Sequence, residues 1–124
     1  MIEFKTGNIL DANVDAIVNP VNCIGVMGKG LALQVKNAFP TAFETYKCAC
    51  SRGEVKCGKM HVCVNNFNQH VCAIINFPTK SHWREPSRLE YVIEGLNDLV
   101  HIVRELNLKS IAIPKLGCGC GGLD

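Results

Sequence analysis

Aromatic side chains are scarce in this sequence, with one Trp, two Tyr and five Phe among 124 residues. A core with so few rings must be mostly aliphatic, as in a sheet covered by helices. No stretch approaches the ~20 apolar residues of a membrane span, and the start Met1-Ile2-Glu3-Phe4-Lys5 lacks a signal peptide's apolar run. The expected compartment is the cytosol, with no membrane partner. Charge of one sign is lacking too. Thirteen basic and eleven acidic residues leave a net +2, too little to draw nucleic acid by bulk charge, although a local patch can still act.

Cys-x-x-Cys is absent, and His61, His70, His82 and His101 supply no paired ligand spacing, so no metal is expected. The eight cysteines do not read as a disulfide framework. Cys63 and Cys72 sit inside apolar, strand-like runs, where a free thiol behaves as a small hydrophobe. Cys48 and Cys50 are two apart in a helical stretch and point to different sides. Repeats, low-complexity tracts and linker-like runs are missing as well, which leaves one domain, 1–124, of ordinary size.

What is present alternates between strand and helix. Met1–Lys5 and Ala16–Asn19 read as short strands, with Asp11-Ala12-Asn13 as the turn or short helical piece between them. Gly30–Phe39 reads as a helix stopped by Pro40, which can itself open the next helix. That second helix runs to about Arg52, and Gly53 supplies a left-handed cap. Lys59–Asn65 and Val71–Phe77 are apolar strands joined by a turn at Asn65–His70. Leu89, Val92, Ile93, Leu96, Leu99, Val100, Val103 and Leu106 then form one apolar face over about five helical turns. Ser87 and Glu90 suggest a capping box at its start, and Ser110–Pro114 is a buried strand. The alternation predicts an α/β fold with a mainly parallel or mixed sheet covered by helices on both faces.

Two glycine-rich loops follow strands. Gly25-Val26-Met27-Gly28-Lys29-Gly30 opens a helix, whose free N–H groups suit an anion. Gly117-Cys118-Gly119-Cys120-Gly121-Gly122 follows Ile111-Ala112-Ile113-Pro114 and has almost no side chain, as a backbone cradle for phosphate requires. In open α/β sheets ligands sit outside the carboxyl ends of the strands, so both loops can reach one crevice. A turn, or a terminal segment, remains the plainer reading of each. Neither loop ends in Gly-Lys-Ser/Thr, which disfavours nucleoside triphosphate hydrolysis.

With both loops placed, the sequence resembles the macrodomain family, in which ADP-ribose lies between two such loops. The matching elements are Thr6-Gly7-Asn8-Ile9-Leu10, Val14-Asp15-Ala16-Ile17-Val18-Asn19-Pro20-Val21-Asn22, the first glycine loop, and Ile113-Pro114-Lys115-Leu116-Gly117-Cys118-Gly119. They follow the family's order over nearly the whole chain. Asn76-Phe77-Pro78-Thr79-Lys80-Ser81-His82-Trp83-Arg84, with Gly25–Ala32, looks most like the DarG-type antitoxin macrodomains, which are ADP-ribosyl glycohydrolases acting on ADP-ribosylated DNA. The resemblance implies a three-layer α/β/α macrodomain with a mixed, mostly parallel sheet. The helix and strand that usually follow the second loop are missing, as in a C-terminally shortened piece. Related terminal ADP-ribose protein glycohydrolases share the lysine but carry aspartate where Gly121 stands here, and this departure favours DNA-directed relatives.

The resemblance further implies that Asn8 and Ile9 border the adenine, that Asn22 holds the distal ribose, and that both loops contact the ligand. The contacts are Gly25, Val26, Met27, Gly28, Lys29 and Gly30 in the first loop, and Gly117, Cys118, Gly119, Cys120 and Gly121 in the second. Asn8 reads equally as the cap of a turn, and Asn19 as a structural brace. Lys80 is the expected catalytic residue. Positive charge builds at the anomeric carbon as a glycosidic bond to thymine breaks, so an ammonium there would oppose the reaction. A neutral amine can instead attack that carbon or trap the opened sugar as a Schiff base, once burial or the cations Arg84 and His82 favour the unprotonated form.

Lys80, Arg84 and Arg88 outweigh Glu85, and Trp83 offers a face for a base, so Trp83 and Arg84 are candidate DNA contacts. Packing of Trp83 against the Leu89 helix stays open beside that reading. The expected function is removal of ADP-ribose from the thymine base of ADP-ribosylated single-stranded DNA, by a monomer without cofactor, reversing a DarT-type toxin. Hydrolysis of protein-linked or O-acyl ADP-ribose, and non-catalytic ADP-ribose reading, are the alternatives.

Overall fold

The computed structural model describes residues 8–65, 67, 70–82 and 88–114. After a short 3-10 helix at Ile9–Asp11 come β1 (Ala16–Val21), α1 (Gly30–Ala38), α2 (Pro40–Ser51), β2 (His61–Val64), β3 (Ala73–Pro78), α3 (Leu89–Glu105) and β4 (Ile111–Ala112). The strands form one sheet in the order β2-β3-β1-β4. β1 is parallel to both β3 and β4, and β2 is antiparallel to β3, so the sheet is mixed and mostly parallel, as expected.

Period-two alternation sends each central strand to both faces. Ala16 and Val18 of β1 join Ala73, Ile75 and Phe77 of β3 against Leu99, Ile102 and Val103 of α3. Ile17 and Ile74 point the other way, to Val35 of α1 and Ala42 of α2. Val21, Met27, Tyr46, Ala49 and Val55 make a third cluster under α2. The result is a three-layer α/β/α arrangement.

Pro40 occupies the first turn of α2, and Gly53 just past its end has φ +71°, the left-handed conformation expected of a cap. The expected strands are longer than the ladders. Lys59–Asn65 narrows to β2, and only Ile111 and Ala112 of Ser110–Pro114 pair with β1. The capping box is corrected. Arg88, in extended conformation, is the N-cap of α3 without a side-chain bond, so Glu90 stands at the second helical position, one short of a reciprocal bond to an N-cap residue.

The apolar face of α3 is wider than the sheet it meets. Leu99 is buried, whereas Leu89, Ile93, Leu96 and Val100 form an exposed stripe beside it. Gly95 lets α3 sit on β3, because a Cβ there would overlap the Phe77 ring. Among the described residues no helix is long and apolar enough to cross a membrane. The Met1–Lys5 strand lies outside the described residues.

Candidate active site

The site begins where β1 and β3 end side by side, with Val21 opposite Pro78. Their pairing does not stop at the strand ends. Thr79 N–H donates to Val21 O at 3.0 Å, and Cys23 N–H donates to Ser81 O at 3.1 Å. These two bonds bracket Lys80 and tie its half-buried segment to the root of the first glycine loop. Lys80, Asn22 and the loop are thereby brought together at the carboxyl edge of the sheet, where α/β folds bind ligands. β4, parallel to β1, points to the same edge.

Asn22 organises the loop from inside. Its side chain is buried, and its Oδ1 accepts from Ile24 N–H at 3.1 Å, Val26 N–H at 3.3 Å and the Tyr46 hydroxyl at 2.8 Å. Its Nδ2 donates to Val26 O at 2.9 Å. An amide nitrogen carries two hydrogens, so at most one remains for a sugar hydroxyl. Asn22 is thus a brace of the loop in addition to the ribose-holding role expected of it, whereas Asn19 was expected on the scaffold alone. Asn19 is a scaffold residue, buried in β1 with its Nδ2 donating to Asn76 Oδ1 at 3.1 Å. Asn76 Nδ2 continues to His61 Nδ1 at 3.1 Å, and Asn19 Oδ1 has no partner among the described residues.

Tyr46 was not legible as part of the site. It is fully buried in α2, and its hydroxyl lies 2.8 Å from both Asn22 O and Asn22 Oδ1. Burial, then the Cys50 thiol beside it, pushes the phenol well above its ordinary range, so the hydroxyl stays a protonated donor. The available signal was its place in the stripe Ala42, Tyr46, Ala49, since a hydroxyl on a buried helical face requires a partner.

The loop presents backbone outward. Gly25 is buried with φ +92°, and its missing Cβ faces Cys50 Cβ at 3.5 Å. Met27 is 1% exposed, and its side chain fills the cluster under α2 and supports the loop from beneath. Val26, Gly28, Lys29 and Gly30 are exposed. Lys29 is the N-cap of α1 with no side-chain bond, so the N–H groups of the first turn meet no capping side chain. Such a turn, with the helix dipole behind it, suits a diphosphate.

Asn8 Oδ1 accepts from Leu10 N–H at 3.0 Å, the turn-capping role, which leaves its amide nitrogen out of the cap. Ile9 packs against the α1-side cluster with Leu31. Trp83, Arg84 and the second loop, Gly117, Cys118, Gly119, Cys120 and Gly121, lie outside the described residues. Among the described residues no three His, Cys, Asp or Glu side chains are grouped to hold a metal.

Comparisons with known proteins follow this geometry. The family model for the Macro domain matches residues 18–124. A DNA ADP-ribosyl glycohydrolase of Mycobacterium tuberculosis is 53% identical over 124 residues, all of this chain and 35% of the relative, so the chain spans about a third of that protein. The solved macrodomain of Mycobacterium tuberculosis DarG superposes with a TM-score of 0.98, covering 100% of this chain and 82% of that one. A structure of Thermosipho africanus DarTG in complex with ADP-ribose, 34% identical, superposes with a TM-score of 0.88 over 94% of this chain and 33% of that one. The matching Thermosipho africanus sequence is that of a DNA ADP-ribosyl transferase–DNA ADP-ribosyl glycohydrolase fusion protein.

Proposed function

Since this chain belongs to the macro domain family, alongside the DarG macrodomains, we propose that it removes ADP-ribose from ADP-ribosylated single-stranded DNA. The observation that carries this reading is the pair of backbone bonds from Thr79 to Val21 and from Cys23 to Ser81, which hold Lys80 beside the first glycine loop. A diphosphate in that loop puts the attached distal ribose next to Asn22, and its anomeric carbon toward the Lys80 side.

The chemistry follows from the amine. Neutral Lys80 Nζ attacks the anomeric carbon, and the bond from that carbon to the thymine nitrogen breaks. The base leaves with the electron pair and takes a proton. The ribose ring opens to a Schiff base on Lys80, and water hydrolyses it, releasing ADP-ribose and restoring the amine. The loop N–H groups hold the diphosphate while the base departs, so binding and chemistry use different groups. The reaction uses only the chain's side chains and water. Its physiological counterpart is a DarT-type DNA ADP-ribosyltransferase, whose product this activity would reverse.

The test compares native chain and Lys80→Ala on ADP-ribosylated single-stranded DNA and, separately, on ADP-ribosylated protein. Release from DNA by the native chain alone, with ADP-ribose binding kept in Lys80→Ala, is the expected result. Unchanged turnover in Lys80→Ala refutes the nucleophile. Release only from protein makes the chain a protein hydrolase, and binding without any release makes it a reader.

A further inference from the structure

Cys23 and Cys57 stand 34 residues apart in sequence, yet their Sγ atoms lie 3.8 Å apart beneath the first glycine loop. Neither is in a disulfide. We infer that these two thiols are a dithiol that a low-molecular-weight disulfide, such as oxidised glutathione, closes into a Cys23–Cys57 bond, and that closing it disables the site.

The pair is placed to have that effect. Cys23 follows Asn22, whose side chain shapes the loop, and Cys23's own N–H holds Ser81 O beside Lys80. Loop and Lys80 segment therefore share Cys23 as a joint. Cys57 sits in a tight turn closed by Lys59 N–H on Lys56 O at 3.2 Å. That turn is anchored on both sides, by buried Val55 before it and by Met60 N–H on Asp98 Oδ2 at 2.6 Å after it.

A disulfide needs an S–S distance of about 2.05 Å, so the sulfurs must approach by roughly 1.7 Å. With the Cys57 turn pinned to the core and to α3, the displacement falls on Cys23. It stretches the Cys23–Ser81 bond and disturbs the Asn22 contacts at once.

The order of steps follows from the thiols. Burial, then the Cys57 and Cys50 thiols, pushes the Cys23 thiol up to about 12, so Cys23 stays protonated and takes the second, resolving step in the proposed sequence. The Cys57 thiolate displaces one glutathione thiolate from the disulfide, giving a mixed disulfide on Cys57. Cys23 then gives its proton to solvent base and attacks Cys57 Sγ, displacing the second glutathione thiolate. Two protein thiols are oxidised to one disulfide, and one glutathione disulfide is reduced to two thiols.

The loss of turnover rests on the glycohydrolase reading; formation of the bond does not. The full chain is incubated with oxidised glutathione, its disulfides are mapped by peptide mass spectrometry, and ADP-ribose affinity and release from modified DNA are measured before and after reduction. The expected result is a Cys23–Cys57 link, turnover down about tenfold or more, weaker ADP-ribose binding, and recovery on reduction. Cys57→Ser and Cys57→Ala should keep the reduced chain's activity and be insensitive to the oxidant.

A link between other cysteines, no link at all, or inhibition that persists in the Cys57 variants overturns the inference. So does an oxidised chain that binds ADP-ribose as the reduced one does. If the reduced chain releases no ADP-ribose, the glycohydrolase reading fails by itself, and the link and the binding change still decide the inference.

Discussion

Replacing Tyr46 with phenylalanine removes one oxygen and leaves the ring in the cluster with Val21, Met27, Ala49 and Val55. That oxygen bonds Asn22 O and Oδ1, each at 2.8 Å, in a fully buried position. Losing it leaves a buried acceptor without its donor, worth about 1–3 kcal/mol of folding stability. For a domain of this size the melting temperature should fall by roughly 4–12 °C. Asn22 Oδ1 keeps Ile24 N–H and Val26 N–H, so the loop survives with a looser amide. Fixing one such side chain again on binding costs about 0.5–1.5 kcal/mol, a loss of ADP-ribose affinity of about 2- to 12-fold. Calorimetric titration with ADP-ribose and a thermal melt on the same samples measure both. Turnover at saturating substrate should change little, because Lys80 is untouched. A fall in melting temperature with unchanged affinity would show that the brace stops at the scaffold and would refute the reasoning.

Four further substitutions separate scaffold from site. Gly95→Ala gains about 1 kcal/mol of helix propensity but drives a methyl into the Phe77 ring, a clash worth about 1–3 kcal/mol, so urea unfolding should show a net loss; equal stability would mean that α3 can lift off β3 freely. Gly25→Ala forces a side chain into φ +92° and should lower stability by about 1–2 kcal/mol, whereas a Cβ at Gly28 meets only Val26 Cγ1 at 3.5 Å and should leave stability within about 0.5 kcal/mol. If the diphosphate approaches the loop backbone closely, Gly28→Ala nevertheless weakens ADP-ribose binding in the same titration. Burial holds the His61 imidazole below its ordinary value of 6.5, and its Nδ1 accepts from Asn76, which requires the neutral ring. The unfolded chain then binds the extra proton first, so stability is full above about pH 6.5 and declines as pH falls below it. Melting curves at pH 7.5 and about pH 5.5 should differ more for the native chain than for His61→Gln, and parallel curves would contradict the assignment.

Much of this architecture was legible because it is local. Short apolar runs mark β1 and β3, Pro40 marks the entry to α2, and Gly53 marks its exit, each by a property of the residue or its near neighbours. The site was legible in outline for the same reason: Gly25–Gly30 lies between a strand and a helix, and Lys80 lies just past a strand. What escaped depends on register. Nothing near Asn22 announces that a tyrosine 24 residues later will saturate its carbonyl, nor that Cys23 and Cys57 will meet. The mistaken cap at Ser87 has a smaller cause, since helix starts drift by one or two residues whenever several candidates precede the first turn.

The row Asn19–Asn76–His61 crosses three strands inside the core. Sliding β3 by one residue against β1 would turn Asn76 to the opposite face, stranding two amides in an apolar interior. It would also carry Lys80 about 3.3 Å along the sheet relative to Asn22. The polar row thus works as a proofreading mark for assembly: the alignment that joins Asn19 to Asn76 is the one that sets Lys80 beside the loop.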